Sequence, residues 1–168
     1  MRSIGLAAMA VGMLGLLANG AEGAAAVAPE PAPVVMRVRN VGELHGQAVV
    51  LLEGGEPRVI LPIWIGPSEA SAIDLRLRNQ KAPRPLTADL LETTLATLGA
   101  KVDRVEVIDL RDNTFIGRLT LRDAQGAEHL IDARPSDLIA LAIGAHLPVL
   151  VAPHVLAQAG LDAAKLHL

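Results

Sequence analysis

The sequence contains no cysteine. Its absence excludes disulfides, thiol nucleophiles and thiolate metal sites together. Any metal ion would therefore need oxygen or imidazole ligands. At 168 residues the chain is long enough to bury a hydrophobic core without such cross-links, and its length predicts one domain with a short appendage.

Aromatic residues are almost as scarce, because Trp64 and Phe115 are the only two in the chain. We expect one of them to lie in the core, so the sequence predicts no stacking platform for single-stranded bases. A basic excess is missing too, with 15 lysines and arginines against 18 acids. Dedicated nucleic-acid binders usually carry such an excess, because neutralising phosphates drives much of their affinity.

The first residues have the pattern of an export signal. Arg2 precedes an uncharged apolar run over residues 4–18, which is short for a bilayer span, and small residues follow it. We interpret residues 1–23 as a signal peptide, with an N-terminal membrane anchor as the alternative. Either interpretation predicts an exported chain, periplasmic, secreted or anchored. Residues 24–33 are rich in alanine and proline and read as a linker.

Residues 34–160 alternate between short β-branched runs and segments of helical spacing, with 161–168 left as a C-terminal tail. Turn residues separate the runs, as at 53–56 and 112–113. The pattern predicts an α/β (α+β) fold, a compact single domain with a mixed, largely antiparallel sheet and three to four helices. One helix is expected to begin at an N-cap residue, Thr87, and to carry leucines on one face.

Histidine and serine give no catalytic pattern. The five histidines show no pair at metal-ligand spacing. Ser68 and Ser136 lie outside any Gly-x-Ser-x-Gly elbow, so a serine triad is unsupported.

Acids and arginines gather instead at the predicted helix entrances. Glu69 follows Gly-Pro, Arg84 precedes Asp89, and Asp132 and Asp137 flank an Arg-Pro corner. In one interpretation these side chains cap helices and complement their dipoles. In the other, Asp132 at a strand end and Asp137 in the first turn of a helix form a ligand-binding corner, as α/β folds often do.

Three motifs resemble the bifunctional nuclease domain family. They are LPIWIGPSEASAI at 61–73, RPLTADLL at 84–91 and IDARPSDLIALAI at 131–143. The resemblance runs from about residue 34 to 156. It implies a compact α/β domain, self-association into dimers or larger homo-oligomers, and nuclease activity on DNA and RNA.

The polar positions that the family shares fall on a defined set in this chain: Glu69, Arg84, Thr87, Asp89, Asp132, Arg134, Ser136 and Asp137. One departure stands out, because Ala88 occupies a position where the family usually carries histidine. The resemblance thus implies that a general base or ligand is missing here. The export leader is a second departure.

Two hypotheses follow. The first is a metal-dependent nuclease with this candidate site: Arg84, Asp89, Asp132, Arg134 and Asp137 as catalytic residues, and Asp132, Asp137 and Glu69 as ligands of Mg²⁺ or Mn²⁺. The arginines would grip phosphate and the metal would activate water. The second is a non-catalytic, self-associating binding or scaffold module outside the cytoplasm, in which the same residues are structural. The membrane would be a partner only through an uncleaved N-terminal segment.

Overall fold

A computed structural model describes residues 31–165. They form an α+β domain with four helices and one eight-stranded, mostly antiparallel sheet, which confirms the predicted fold class. The predicted leader lies outside the described residues. Among residues 31–165 no helix has the length and apolar character that crossing a membrane requires. The elements are β1 Val34–Leu44, β2 Gln47–Gly54, β3 Val59–Trp64, α1 Pro67–Leu77, α2 Thr87–Thr97, β4 Lys101–Arg111, β5 Thr114–Arg122, β6 Glu128–Ala133, α3 Pro135–Gly144, β7 Val149–Val151, α4 Pro153–Ala159 and β8 Leu161–Asp162, before a 3₁₀ turn over Ala163–Lys165.

The sheet order is β6-β5-β4-β7-β1-β2-β3-β8. Two antiparallel meanders, β1-β2-β3 and β4-β5-β6, are joined through the short strand β7. This strand runs antiparallel to β1 and parallel to β4. A three-residue strand late in the chain therefore unites the two halves of the sheet.

Strand periodicity builds the core. In β4 and β5, Val105, Val107, Leu119 and Leu121 are buried, while the residues between them are charged or polar. Alternation of this kind places one face of the two strands against a packed layer, although Thr120 on the other face of β5 is buried as well. The packed layer here is supplied by α1 and α3, which contact each other and the sheet.

Helix α3 lies unusually close to β5. A Cβ on Gly117 would come within 2.5 Å of Leu138 Cδ1 and 2.6 Å of the Ala133 carbonyl oxygen. Only glycine leaves room for this approach. The first turn of α3, which carries Asp137, is thereby held directly over the strand.

Helix α2 differs from the expectation in two respects. Leu86, not Thr87, is the N-cap, and its N–H donates to the Asp89 carboxylate at 2.7 Å, so a carboxylate in the first turn replaces the expected hydroxyl cap. Of the leucines expected on one face, Leu95 is buried but Leu98 is exposed. The helix therefore presents apolar side chains outward.

The last described residues include a short edge strand. Residues 161–162, assigned to a tail, pair with β3 as the edge strand β8. A two-residue strand is too short to leave a periodic signal in the sequence.

Candidate functional site

The N-terminal ends of α1 and α3 meet at one arginine. Arg134, the N-cap residue of α3, donates from Nε and Nη2 to the two carboxylate oxygens of Asp137, at 2.9 and 3.0 Å. Its Nη1 donates to Glu69 Oε1 in the first turn of α1, at 2.9 Å. Both helices begin with proline, and neither has a side-chain N-cap hydrogen bond. The structure thus brings together three of the predicted site residues.

This cluster keeps Arg134 charged and oriented. The hydrogen bond and charge of Asp137, followed by those of Glu69, raise the pKa of the Arg134 guanidinium above its ordinary value. The side chain is nevertheless 66% exposed. A guanidinium carries five N–H donors, and three of them are used by the two carboxylates. The other two donors have no partner among residues 31–165, so they are available to an anion from solvent.

A cleft of about 560 Å³ opens on one side of the Arg134–Glu69 pair. Trp64, Gly66, Phe115 and Ser136 contribute to its wall, together with the ion pair itself. Phe115 also packs against the core, as expected for one aromatic residue. Trp64 does not, because 49% of it is exposed. Both aromatic residues therefore border the candidate site. The sequence did not predict this position for either of them.

A second hollow, of about 350 Å³, lies on the other side of the same pair. It shares Glu69, Arg134 and Ser136 with the first cleft. Ala88 lines it, on the side of α2. The position at which the resemblance implies a histidine thus lines the same hollow as Arg134, and in this chain it offers only a methyl group.

Arg84, which precedes α2, and Asp89, in the first turn of α2, lie beside the C-terminal half of α1. They line a third hollow of about 300 Å³, which also includes Lys81. This hollow shares Ala72, Leu75 and Leu86 with the second one. The three hollows therefore follow one another along α1, and we call them together the α1 groove.

Asp89 has structural contacts in this groove. Besides accepting the Leu86 N–H, its carboxylate pairs with Arg76 Nη2 at 2.5 Å. Arg76 also donates to Glu92 at 2.6 Å and to the Ala140 carbonyl oxygen at 2.9 Å, and its side chain is only 11% exposed. Burial opposes its charge, but Glu92 and Asp89 outweigh that effect and raise its pKa. This cluster, absent from the sequence prediction, ties α1, α2 and α3 together.

Asp132 lies apart from the arginine cluster. It pairs across the sheet with Arg118, while its neighbour Ala133 pairs with Gly117, the residue that faces α3. Cross-strand partners share a face and successive residues alternate. Asp132 therefore points to the face opposite α3, away from Asp137.

Glu69, Asp132 and Asp137 are the residues that the sequence predicted as metal ligands. Among the described residues, no three acidic or histidine side chains lie close enough together to share an ion. Glu69 and Asp137 are each bound to Arg134, and Asp132 faces away. The arrangement does not fit the ligand set of three carboxylates that the sequence predicted.

Comparisons with known proteins point to one family. Residues 49–164 match the family model described as the Bifunctional nuclease domain. A protein of Mycobacterium tuberculosis described as uncharacterized is 41% identical over 123 residues, which are 73% of this chain and 72% of that protein. Proteins named Bifunctional nuclease 1 from Oryza sativa subsp. indica and Bifunctional nuclease from Oryza minuta are 26% identical over 121 residues. These residues are 71% of this chain but only 36% of the plant proteins.

Proposed function

The chain belongs to the bifunctional nuclease domain family, and we propose that it hydrolyses phosphodiester bonds of DNA, RNA or both in the cleft around Arg134. Membership of the family implies that the domain interacts with nucleic acid. The plant proteins that carry nuclease in their names are distant and much longer. The proposal therefore rests on the site as much as on the family.

The observation that carries it is the geometry of Arg134. Two carboxylates on two helices fix the guanidinium, which lines the cleft and has two N–H donors without a partner among residues 31–165. Arginine binds phosphate through such paired donors. The first turns of α1 and α3 add the positive ends of two helix dipoles, which favour an anion at the same place. A phosphodiester bound here would have its negative charge offset by fixed groups.

Hydrolysis needs a water molecule that attacks phosphorus and a group that accepts its proton. Glu69 and Asp137 supply carboxylates within hydrogen-bond distance of the phosphate-binding guanidinium. One of them would take the proton of the attacking water, while the departing sugar oxygen gains a proton from solvent. Arg134 would stabilise the charge that develops on the phosphoryl oxygens.

Metal dependence stays a prediction. Mg²⁺ is commonly held by one or two carboxylates together with substrate phosphates, so Glu69 and Asp137 would suffice only with substrate bound. Arg134 would then have to release at least one of them, because both are paired with it.

A non-catalytic binding module is the second candidate. One argument for it is Ala88, which offers no side chain for catalysis in the hollow beside Arg134. The other is that Arg134 pairs with both carboxylates, an arrangement that would also serve only to hold α1 and α3 together. The same proposal includes self-association, supported by the exposed leucines of α2.

Export is proposed from the leader alone. N-terminal sequencing of the native protein would test it by finding a start near residues 21–27.

A nuclease assay on single-stranded and duplex substrates, with and without EDTA, tests the proposed activity. Arg134→Lys should lower cleavage by roughly 100-fold or more, because lysine keeps the charge but cannot hold two carboxylates and a phosphate in one plane. Arg122→Lys is the matched control, since Arg122 pairs with Asp103 and Glu128 at the far end of β5. Equal activity in both variants, or no cleavage by the wild type, would remove the proposal. Loss with EDTA would support metal dependence.

A further inference from the structure

Trp64 is the largest side chain in the chain and it is half exposed. It is the last residue of β3, directly opposite Val49 on β2, so its ring stands at the rim of the cleft where the sheet ends. A large apolar ring left in water gains nothing for folding, since burial is what stabilises it. A ring kept at the entrance of a polar cleft is available to a ligand.

Arg134 borders the same cleft with unused donors. The lining also includes Phe115 and the polar residues Asn113 and Thr114. An apolar ring face beside a fixed cation matches a nucleotide, which carries a flat base and a phosphate. The combination also distinguishes this ligand from inorganic phosphate, for which Trp64 would have no use.

We propose that Trp64 stacks on an unpaired base beside the phosphate held by Arg134, and that the cleft consequently takes single-stranded rather than duplex nucleic acid. This inference rests on the proposed function, because it assumes that nucleic acid is the substrate. Stacking on an aromatic ring tolerates every base, since each has a π-face. Trp64 is therefore a residue that selects strand state and not sequence.

Duplex DNA is a poorer ligand for a cleft that binds a base by stacking on Trp64. Its bases are already stacked on one another, and exposing one face to Trp64 would require unstacking at a cost of a few kcal/mol. A base therefore meets the ring at the lowest cost where the strand is unpaired. Unpaired bases pay no such cost.

The α1 groove offers a path for the rest of the strand. It continues from Arg134 past Ala88 to Lys81 and Arg84, both exposed and both without an ion-pair partner in the described part of the chain. Helix α1 has 11 residues, so the path is about 16 Å long. Two unpaired cations at that distance suit the phosphates a few nucleotides away.

The fluorescence of the protein reports this contact directly, because Trp64 is the only tryptophan. Titration of the full protein with a short oligothymidylate in EDTA should quench the emission saturably. The same strand annealed to its complement should quench it much less. Equal quenching by both forms, or by neither, would overturn the inference.

Variants separate stacking from a general effect on the fold. Trp64→Leu should weaken binding of a labelled single strand about tenfold, whereas Trp64→Phe should keep most of the affinity. Leu130→Ala, an exposed apolar residue on β6, is the matched control and should bind as the wild type does. Equal losses in Trp64→Phe and Trp64→Leu would contradict stacking, as would unchanged binding in both.

The inference and the proposed function fail in different ways. Cleavage without quenching of Trp64 leaves the nuclease proposal standing and refutes the stacking role. Selective quenching without cleavage supports Trp64 as a base-binding residue and refutes hydrolysis.

Discussion

Arg134 and Glu69 are 65 residues apart in sequence, yet the Arg134 guanidinium donates to the Glu69 carboxylate at 2.9 Å. The contact joins the first turn of α1 to the entrance of α3 and separates two hollows of the α1 groove. Asp137 holds the other edge of the guanidinium. The pair is exposed to solvent, so its contribution to stability is small and its position is the informative feature.

Asp137→Asn should lower nuclease activity roughly tenfold to 100-fold while changing the melting temperature little. Asparagine removes the charge that orients Arg134, but the ion pair that is lost is largely exposed. Asp132→Asn should cleave as the wild type does, because Asp132 lies on the opposite face of the sheet. A metal shared by the two carboxylates would instead disable both variants, and rate measurements on the pair decide between these outcomes.

Ala88→His should raise nuclease activity at least tenfold. The new imidazole would enter the hollow that Ala88 shares with Arg134 and Asp137, where it could accept a proton from water. Ala96→His is the control, because Ala96 is exposed on the same helix and its position gives a histidine no cluster to join. An equal response of the two variants in the cleavage assay would show that the vacant position near Arg134 has no catalytic importance.

Arg76→Leu should lower the free energy of unfolding by about 2–3 kcal/mol, measured by chemical denaturation. Removing this nearly buried cation leaves the carboxylates of Asp89 and Glu92 without their shared positive charge. Arg78→Leu should cost at most about 0.5 kcal/mol, because Arg78 forms an exposed pair with Asp74 one turn away. Similar losses in the two variants would mean that the three-helix ion cluster is not stabilising.

Asp123 should make the free energy of unfolding depend on pH in the acid range. The His129 ring, at 2.7 Å, and the backbone N–H groups of Ala127 and Gln125 lower the pKa of its carboxyl below the ordinary 3.8. The stabilisation is therefore complete above the unfolded-state pKa and is lost as the pH falls through the folded-state value. Wild type should be more stable than Asp123→Asn at about pH 6, and the difference should shrink as the pH falls below the ordinary value of 3.8. A difference in unfolding free energy that persists in acid would contradict this.

The exposed face of α2 should mediate self-association. Leu90, Leu91 and Leu98 lie on one side of this helix, with Thr94 between them and no charge among them, and Leu98 is 72% exposed. Leu98→Glu should shift the protein toward monomer in light scattering at tens of micromolar. Leu130→Glu, equally exposed on β6, should leave the assembly unchanged. A wild-type monomer would refute self-association, and an unaffected oligomer in Leu98→Glu would place the interface elsewhere.

The sequence by itself determined most of the secondary structure. Period-two alternation in β4 and β5, turn residues at 112–113, and proline at the first positions of α1 and α3 all mark their elements correctly. These signals are local, because a strand or helix is specified by neighbours within a few residues. The three motifs were equally specific, and the match to the Bifunctional nuclease domain model confirms the family that they resemble.

Tertiary structure alone decided which of the polar residues meet. Asp132 and Asp137 are five positions apart, yet the register between β5 and β6 turns Asp132 away while α3 carries Asp137 toward Glu69. Trp64 likewise remains exposed because it is the last residue of β3, although its cross-strand partner Val49 is buried. Shifting a strand by one residue exchanges its two faces, and that register is set by pairing with distant strands. The composition of the cleft depends on these long-range choices, which no short stretch of sequence contains.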